Sequence, residues 1–207
     1  CNLPHVIACL RKLIKKKNIM STGLIWIIMI VVMILSQIVQ SMLQSRFEKY
    51  SRVPTNSGMT GADVARKMLA DHGITDVKVT CIPGRLTDHY NPQTKTVNLS
   101  EAVYNQSSVA AAAVAAHECG HVVQHAKGYL PLRLRTALVP VVNFTQNTWT
   151  IVLLMGLFMN IAGLTTLALI FFSFSVLFQL VTLPVEIDAS RRAVAYIEQS
   201  GMSSKQV

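Results

Sequence analysis

The feature that most limits the possible folds of this chain is a long stretch without any charged side chain. Between Leu138 and Leu183 the sequence contains no Lys, Arg, Asp, Glu or His. A helix needs roughly 20 apolar residues to cross a bilayer, so two crossings fit, joined by a turn near Asn160–Gly163. The stretch therefore predicts a transmembrane hairpin over residues 138–183. Because its first half carries several amides and threonines, the alternative is one crossing helix and one helix at the interface.

A second uncharged stretch near the N-terminus predicts another membrane helix. Gly23–Val39 contains only two mildly polar side chains, and we expect a transmembrane helix at residues 23–43. No small-residue cleavage site follows it, so a membrane anchor is favoured over a signal peptide. Residues 1–22 form a basic segment that begins with Cys, and Met20 is a candidate for the native start.

Composition agrees with a membrane protein and argues against nucleic acid as a partner. Hydrophobic residues make up 51% of the chain and charged residues 14%, against about 25% charged in an average soluble domain. The formal net charge is +9, but the basic residues cluster beside the apolar stretches rather than along one soluble face. They are expected to flank the membrane, although any one cluster could be a solvated basic face. The four cysteines form no CxxC pair and are expected to be free thiols.

Residues 51–136 have the mixed composition of an aqueous domain. Thr60 and Asp63 predict a capping box at the start of a helix. Alternating β-branched residues then predict a small sheet, in which Leu86–Tyr90 and Thr96–Leu99 form a hairpin around the turn NPQTK. The expected fold class is an α+β membrane protein, with a small sheet and transmembrane helices.

An alanine-rich, helix-forming segment carries the pattern His-Glu-x-x-His. On a helix, His117 and His121 lie one turn apart on one face, the separation at which two imidazoles can bind one tetrahedral zinc ion. Glu118 lies beside them, where a carboxylate can accept a proton from activated water and deliver it to a leaving amine. The pattern predicts metal-assisted hydrolysis with one Zn²⁺ per chain. A structural pair of histidines without metal is the alternative.

A catalytic zinc site usually has three protein ligands and one open position, so a third ligand is expected. His125 continues the spacing of the two histidines, but a third residue on a straight helix lies too far along its axis to complete a tetrahedron with both. Cys119 points away from the face that carries the histidines. The third ligand should therefore come from another helix.

The first acidic residues after the uncharged stretch are candidates for this third ligand. We expect residues 184–207 to form a helix that carries it, with Glu186 as the ligand. Asp188 is the alternative ligand, or it orients a ligand histidine through the free ring N–H. A further alternative is that both acids only cap the helix that follows Pro184.

Five segments together resemble the YugP-type family of membrane-bound neutral zinc metallopeptidases. They read AHECGH, LTDHYNP, KTVNLSEAVY, SRVPTNSGMTGADVARKML and FQLVTLPVEIDASRRA, and the resemblance covers residues 20–202. It implies a zincin-like fold of the gluzincin type in a bacterial plasma membrane, with a transmembrane hairpin between the two-histidine helix and a Glu-bearing helix. By position it makes His117 and His121 zinc ligands, Glu118 the catalytic base and Glu186 the third ligand. The family pattern also implies a further apolar segment after the last residue, and the basic start departs from it.

These features predict a zinc endopeptidase that acts on a polypeptide, in particular a membrane or membrane-associated protein. The substrate would add as an extended strand at a sheet edge, for which Thr96–Leu99 is one candidate. Four side chains are candidate oxyanion donors: His89, Tyr90, Arg191 and Arg192. Two other classes stay open. One is a non-catalytic assembly factor or scaffold stapled by a four-ligand zinc ion, and the other is a zinc hydrolase that acts on lipid or another non-peptide bond.

Basic residues beside the predicted spans indicate that the catalytic part faces the cytoplasm. The cluster before Gly23 favours a cytoplasmic N-terminus and thus the opposite orientation. The larger set borders all the spans and lies on the catalytic side: Arg46, Lys49, Arg52, Arg133, Arg135, Arg191 and Arg192. Unpaired cysteines also suit a reducing compartment.

Overall fold

The structure is a computed structural model that describes residue 27, residues 30–159 and residues 161–202. The predictions for residues 1–22 lie outside the described residues. At the start of the first predicted span, residues 23–26, 28 and 29 also lie outside them. The chain divides into two compact units, Cys1–Lys49 and Tyr50–Val207. Helix α1 runs Ile30–Ser51 and is long and apolar enough to cross a membrane.

The second unit opens with the predicted capping box. Helix α2 is Gly61–Asp71. The Thr60 hydroxyl accepts a hydrogen bond from the Asp63 amide at 3.2 Å, and the Asp63 carboxylate accepts one from the Thr60 amide at 3.2 Å. This prediction is confirmed, and the reciprocal bonds satisfy two amides that the first helical turn leaves free. Val64, Ala65 and Met68 are buried on α2, which packs against helix α4, described below.

Three short strands form one sheet: β1 is Lys78–Ile82, β2 is His89–Asn91 and β3 is Thr96–Ser100. Strands β2 and β3 pair in antiparallel fashion, which confirms the predicted hairpin. Its first strand is shorter than the predicted Leu86–Tyr90, because Leu86 has a positive φ of 56° and the strand begins only at His89. Strand β1 pairs with β3 in parallel, so the order is β1-β3-β2. The prediction that Thr96–Leu99 offers an open edge is wrong, because both hydrogen-bonding edges of β3 are already paired.

Helix α4, Val109–Ala126, follows the short helix α3, Glu101–Tyr104, and lies at the centre of this unit. The Ser108 hydroxyl caps α4 by accepting from the Ala111 amide at 3.2 Å. Alanines fill much of its buried surface, and α4 packs against both α2 and the last helix of the chain. Small side chains allow these helices to approach closely, which matters for the site that α4 carries.

The uncharged stretch forms the predicted helical hairpin. Helix α5 is Leu130–Phe158 and helix α6 is Ala162–Gln199, and the two pack against each other. With α1, they are the three helices among the described residues that are long and apolar enough to cross a membrane. The described fold is therefore mostly helical, with one small sheet.

The sequence predicted that a separate helix begins at residue 184, but α6 does not end there. It continues through Pro184 without a break, although proline cannot donate to the carbonyl four residues earlier. Beyond Pro184 the buried side chains of Val185, Ala189 and Ala193 belong to the part of α6 that packs on α4. This packing offsets the lost hydrogen bond, so one helix joins the uncharged stretch to the acidic residues.

Candidate metal centre

Three metal-binding side chains meet where α4 packs on α6. His117 and His121 come from α4, and Glu186 comes from α6, two residues after Pro184. The Glu186 Oε2 atom lies 3.3 Å from Nε2 of His117 and 3.4 Å from Nε2 of His121. One ligand atom from each residue lies within 4.8 Å of the others. Residues far apart in sequence thus form one compact donor set.

The donor set has the chemistry of a zinc site, and Glu186 lies at a suitable distance from both histidines. Zinc binds imidazole nitrogen and carboxylate oxygen at about 2.0–2.2 Å, so neighbouring ligand atoms of a tetrahedral site are about 3.3–3.6 Å apart. The two distances from Glu186 to the histidines agree with that spacing. The two imidazole rings are nearly perpendicular, at 84°. The residues present therefore fit a zinc ion.

The other nitrogen of each imidazole also has a partner. His117 Nδ1 lies 3.2 Å from the Ser190 hydroxyl on α6. His121 Nδ1 lies 3.1 Å from the side-chain oxygen of Gln124, one turn further along α4. Hydrogen bonds of this kind orient metal-binding histidines. Sequence reasoning missed both partners. Gln124 could have been found from its i, i+3 spacing, whereas nothing local to α4 points to Ser190.

The sequence predicted Asp188 as an alternative ligand or as the direct partner of a ligand histidine, but its carboxylate is bonded to two other side chains. Its Oδ2 atom accepts a hydrogen bond from Gln124 Nε2 at 2.8 Å and from Arg192 Nε at 2.6 Å. The three-residue donor set, as found among the described residues, does not include Asp188. Asp188 thus contacts the amide that contacts His121, rather than a histidine ring.

Glu118 is buried, and it lines the same cleft as the two histidines. Burial raises the pKa of Glu118, while the charges of His121 and His117 lower it. The nearby charge of Asp88 raises this pKa further, and a hydrogen bond from the backbone of Tyr90 lowers it; the net pKa lies above the ordinary value. A raised pKa makes the carboxylate a better proton acceptor near neutral pH.

A cleft of about 850 Å³ opens onto these residues. This volume is within the range of small-molecule and cofactor sites. Strand β2 and its turn line one side, α4 supplies the histidines, and the first turns of α5 line another side. The lining residues from α5 are Leu132, Arg135, Thr136, Val139, Pro140 and Asn143.

Of the four predicted oxyanion donors, two line the cleft and two are not among its lining residues. His89 and Tyr90 line it. Arg192 is paired with Asp188, and Arg191 lines a second groove on α6 that also includes Glu186. Arg135, which the sequence analysis did not consider as a donor, lines the cleft, with Nη1 3.8 Å from Oε1 of Glu186.

His125 and Cys119 lie outside the donor set, as expected. His125 Nδ1 is 3.1 Å from the Tyr90 hydroxyl, which links α4 to the edge strand β2. Cys119 is fully buried, and its thiol donates to the Ala65 carbonyl at 3.6 Å. Burial raises the pKa of this thiol, so it stays protonated and is a poor metal ligand.

Comparison with known proteins gives the class to which this chain belongs. Residues 25–207 match the family model described as "Putative neutral zinc metallopeptidase", and the chain is a member of that family. A relative is the "Putative membrane protease YugP" of Bacillus subtilis (strain 168), which is 46% identical over 162 residues. The match covers 78% of this chain and 72% of that protein. No solved structure matches the chain. The resemblance stated from the sequence is confirmed.

Proposed function

We propose that this chain is a membrane-embedded zinc endopeptidase of the gluzincin type, with His117, His121 and Glu186 as its zinc ligands and Glu118 as its general base. The observation that carries the proposal is the convergence of Glu186 with both histidines at the spacing of a tetrahedral site. A zincin-like arrangement is supported by the position of α4, which carries the histidines beside a sheet whose edge strand lines the same cleft.

The proposed reaction is hydrolysis of a peptide bond. Zinc in such a site supplies a Lewis acid that polarises a carbonyl group and lowers the pKa of water. Glu118 accepts the proton of the attacking water, and its raised pKa suits this task. The protonated Glu118 then delivers the proton to the amine that leaves. His89 and Tyr90 on β2, and Arg135 on α5, are the cleft residues that can donate to the developing oxyanion.

The expected substrate is a polypeptide of a membrane or membrane-associated protein. Strand β2 is at the edge of the sheet and lines the cleft, so an extended polypeptide can lie beside it. The opposite wall follows α5 from Leu132 to Asn143, about 16 Å along a helix. Its last part lies inside the uncharged stretch. A substrate in the cleft therefore contacts the helix that enters the membrane.

The cleft also supports this proposal over a zinc-stapled scaffold. A structural zinc site has four protein ligands, whereas a catalytic site has three and an open position. The donor set among the described residues has three members and faces a cleft. This arrangement supports catalysis. A zinc hydrolase acting on lipid would use the same residues, and only the substrate assay separates the two.

The decisive experiment measures zinc in detergent-purified protein by elemental analysis. We expect one zinc ion per chain in the wild type and in Glu118→Gln, and less than half of that in His121→Ala and Glu186→Ala. The wild type should also cleave a mixed library of internally quenched peptides, and a chelator should abolish this cleavage. A wild-type protein without zinc would overturn the proposal. Zinc with four protein ligands and no cleavage would support the scaffold instead.

A further inference from the structure

Gln124 lies where α4 packs against α6, and both the nitrogen and the oxygen of its side-chain amide have hydrogen-bond partners there. It is fully buried. Its amide nitrogen donates to the Val185 carbonyl at 2.8 Å and to the Asp188 carboxylate at 2.8 Å. Its oxygen lies 3.1 Å from Nδ1 of His121. An amide offers two N–H donors and one carbonyl acceptor, so this environment uses both donors.

These partners allow only one orientation of the Gln124 amide. The Val185 carbonyl and the Asp188 carboxylate are both acceptors, so they require the NH₂ group to face them. A flipped amide would place the oxygen of Gln124 against two other oxygens and would leave its buried N–H groups facing His121 alone. The Gln124 oxygen is therefore directed at His121, where only an N–H can satisfy it. Nδ1 of His121 must carry a proton.

The consequence for His121 follows from its other nitrogen. Nε2 lies 3.4 Å from the Glu186 carboxylate, which by itself would attract the single proton of a neutral imidazole to Nε2. A protonated Nε2 has no lone pair for a metal ion. By holding the proton at Nδ1, Gln124 leaves the lone pair at Nε2, which faces the donor set.

We propose that Gln124 is a positioning residue that selects the metal-binding tautomer of His121, and that Asp188, held by Arg192, fixes the orientation of Gln124. The inference rests on the proposed zinc function. His117 provides an internal comparison, because its Nδ1 is held by Ser190 and not by this chain of contacts. A change at Gln124 should therefore act on one ligand and leave the other unaffected.

The first test measures zinc affinity of the full-length protein in detergent, by competition with a chelating dye. Gln124→Met keeps the length of the side chain but removes both its donors and its acceptor. We expect its zinc affinity to fall about 10- to 100-fold, the usual effect of losing such a partner. Asp188→Asn keeps an oxygen that can accept from Gln124, so its effect should be smaller than that of Gln124→Met.

The second test reads the tautomer directly and does not depend on catalysis. In ¹⁵N-histidine-labelled, zinc-free protein at alkaline pH, Gln124→Met should shift His121 towards the form protonated at Nε2 and leave His117 unchanged. Ser190→Ala should do the reverse, changing His117 and sparing His121.

A wild type that binds no zinc overturns both this inference and the proposed function. A wild type that binds zinc, with unchanged affinity and unchanged His121 signals in Gln124→Met, overturns this inference alone. Equal disturbance of both histidines would also overturn it, since that indicates loosening of the helix contact.

Discussion

The chemistry of the candidate site depends on the pKa values of two side chains, Glu118 and His121. Glu118 is buried, and burial is the main reason that its pKa is raised. Burial lowers the pKa of His121, but hydrogen bonds to Glu186 and Gln124 and the charges of Glu118 and Glu186 raise it by more, so the net pKa lies above the ordinary value. Zinc competes with this proton, because only a neutral imidazole binds a metal.

Replacing the proposed base should abolish catalysis while leaving the metal in place. We expect Glu118→Gln to lower kcat for peptide cleavage by about 10²- to 10⁴-fold, because the amide cannot accept a proton. Zinc content should stay at the wild-type level, since Glu118 is outside the donor set. Glu101→Gln, an exposed residue at the start of α3, is the matched control and should cleave normally. Wild-type rates in a zinc-loaded Glu118→Gln protein would contradict the proposed role.

The raised pKa of His121 predicts how the zinc-free protein responds to pH. A histidine whose pKa is higher in the folded state contributes stability that is present below its unfolded pKa, about 6.5, and is lost as pH rises through its folded pKa. The thermal midpoint of unfolding, measured with a chelator present, should therefore fall as pH increases above about 6.5. Glu186→Gln removes a main cause of the raised pKa, so its midpoint should fall less. An equal decline in both proteins would show that His121 is not responsible.

Among the elements, the contact of α4 with α6 decides the geometry of the site, because each helix brings part of the donor set. Gly120 lies between the two histidines of α4, against the backbone of Ala189 on α6. A Cβ atom at this position would lie 2.8 Å from the Ala189 carbonyl oxygen and 3.1 Å from the Ala189 Cα atom. Both are backbone atoms, which cannot move aside as a flexible side chain can. A side chain here must push the helices apart.

We expect Gly120→Ala to destabilise the protein by about 1–3 kcal/mol, the usual cost of overpacking. Zinc affinity should also fall, because α6 would carry Glu186 away from the histidines. Denaturant unfolding of the zinc-free protein and dye competition measure the two effects. Gly163→Ala is the control, since a Cβ atom there meets nothing within 4 Å. If Gly120→Ala matched this control in both measurements, the close contact would not be essential.

For the whole molecule, the two candidate membrane helices α5 and α6 are part of the site rather than an accessory to it. The α5–α6 hairpin separates the two histidines from Glu186 in sequence, and α6 continues from the uncharged stretch to Glu186 without a break. The cleft is lined partly by α5. The proposed metal site thus depends on correct packing of the hairpin.

The proposed cytoplasmic orientation can be tested with the exposed thiol of Cys81, since Cys119 is buried. In a variant with Cys1 and Cys9 replaced by Ser, a membrane-impermeant maleimide should leave Cys81 unlabelled in intact bacterial cells and should label it after lysis. Cys81→Ser in the same background is the control for the labelled site. Labelling of intact cells that disappears in Cys81→Ser would place the catalytic part outside.

Local patterns in the sequence were sufficient for many of the elements. The capping box at Thr60, the β2–β3 hairpin and the two helices of the uncharged stretch depend on residues close together in the chain or on solvent preference alone. The spacing of His117 and His121 on one helical face is local in the same sense. Such features can be predicted because their physical causes act within one or two turns.

Other features depend on contacts between distant residues, so only the tertiary structure decided them. The parallel pairing of β1 made β3 the central strand and left β2 as the edge at the cleft. Packing on α4 carried α6 through Pro184, a residue that by itself favours a helix boundary. The same packing placed Gln124 between His121 and Asp188, whose partners were not visible in the sequence. The sequence alone determined which residue types could bind a metal ion and that three helices would be long and apolar enough to cross a membrane. Their meeting at one point, with the orienting contacts of each histidine, required the close approach of α4 and α6.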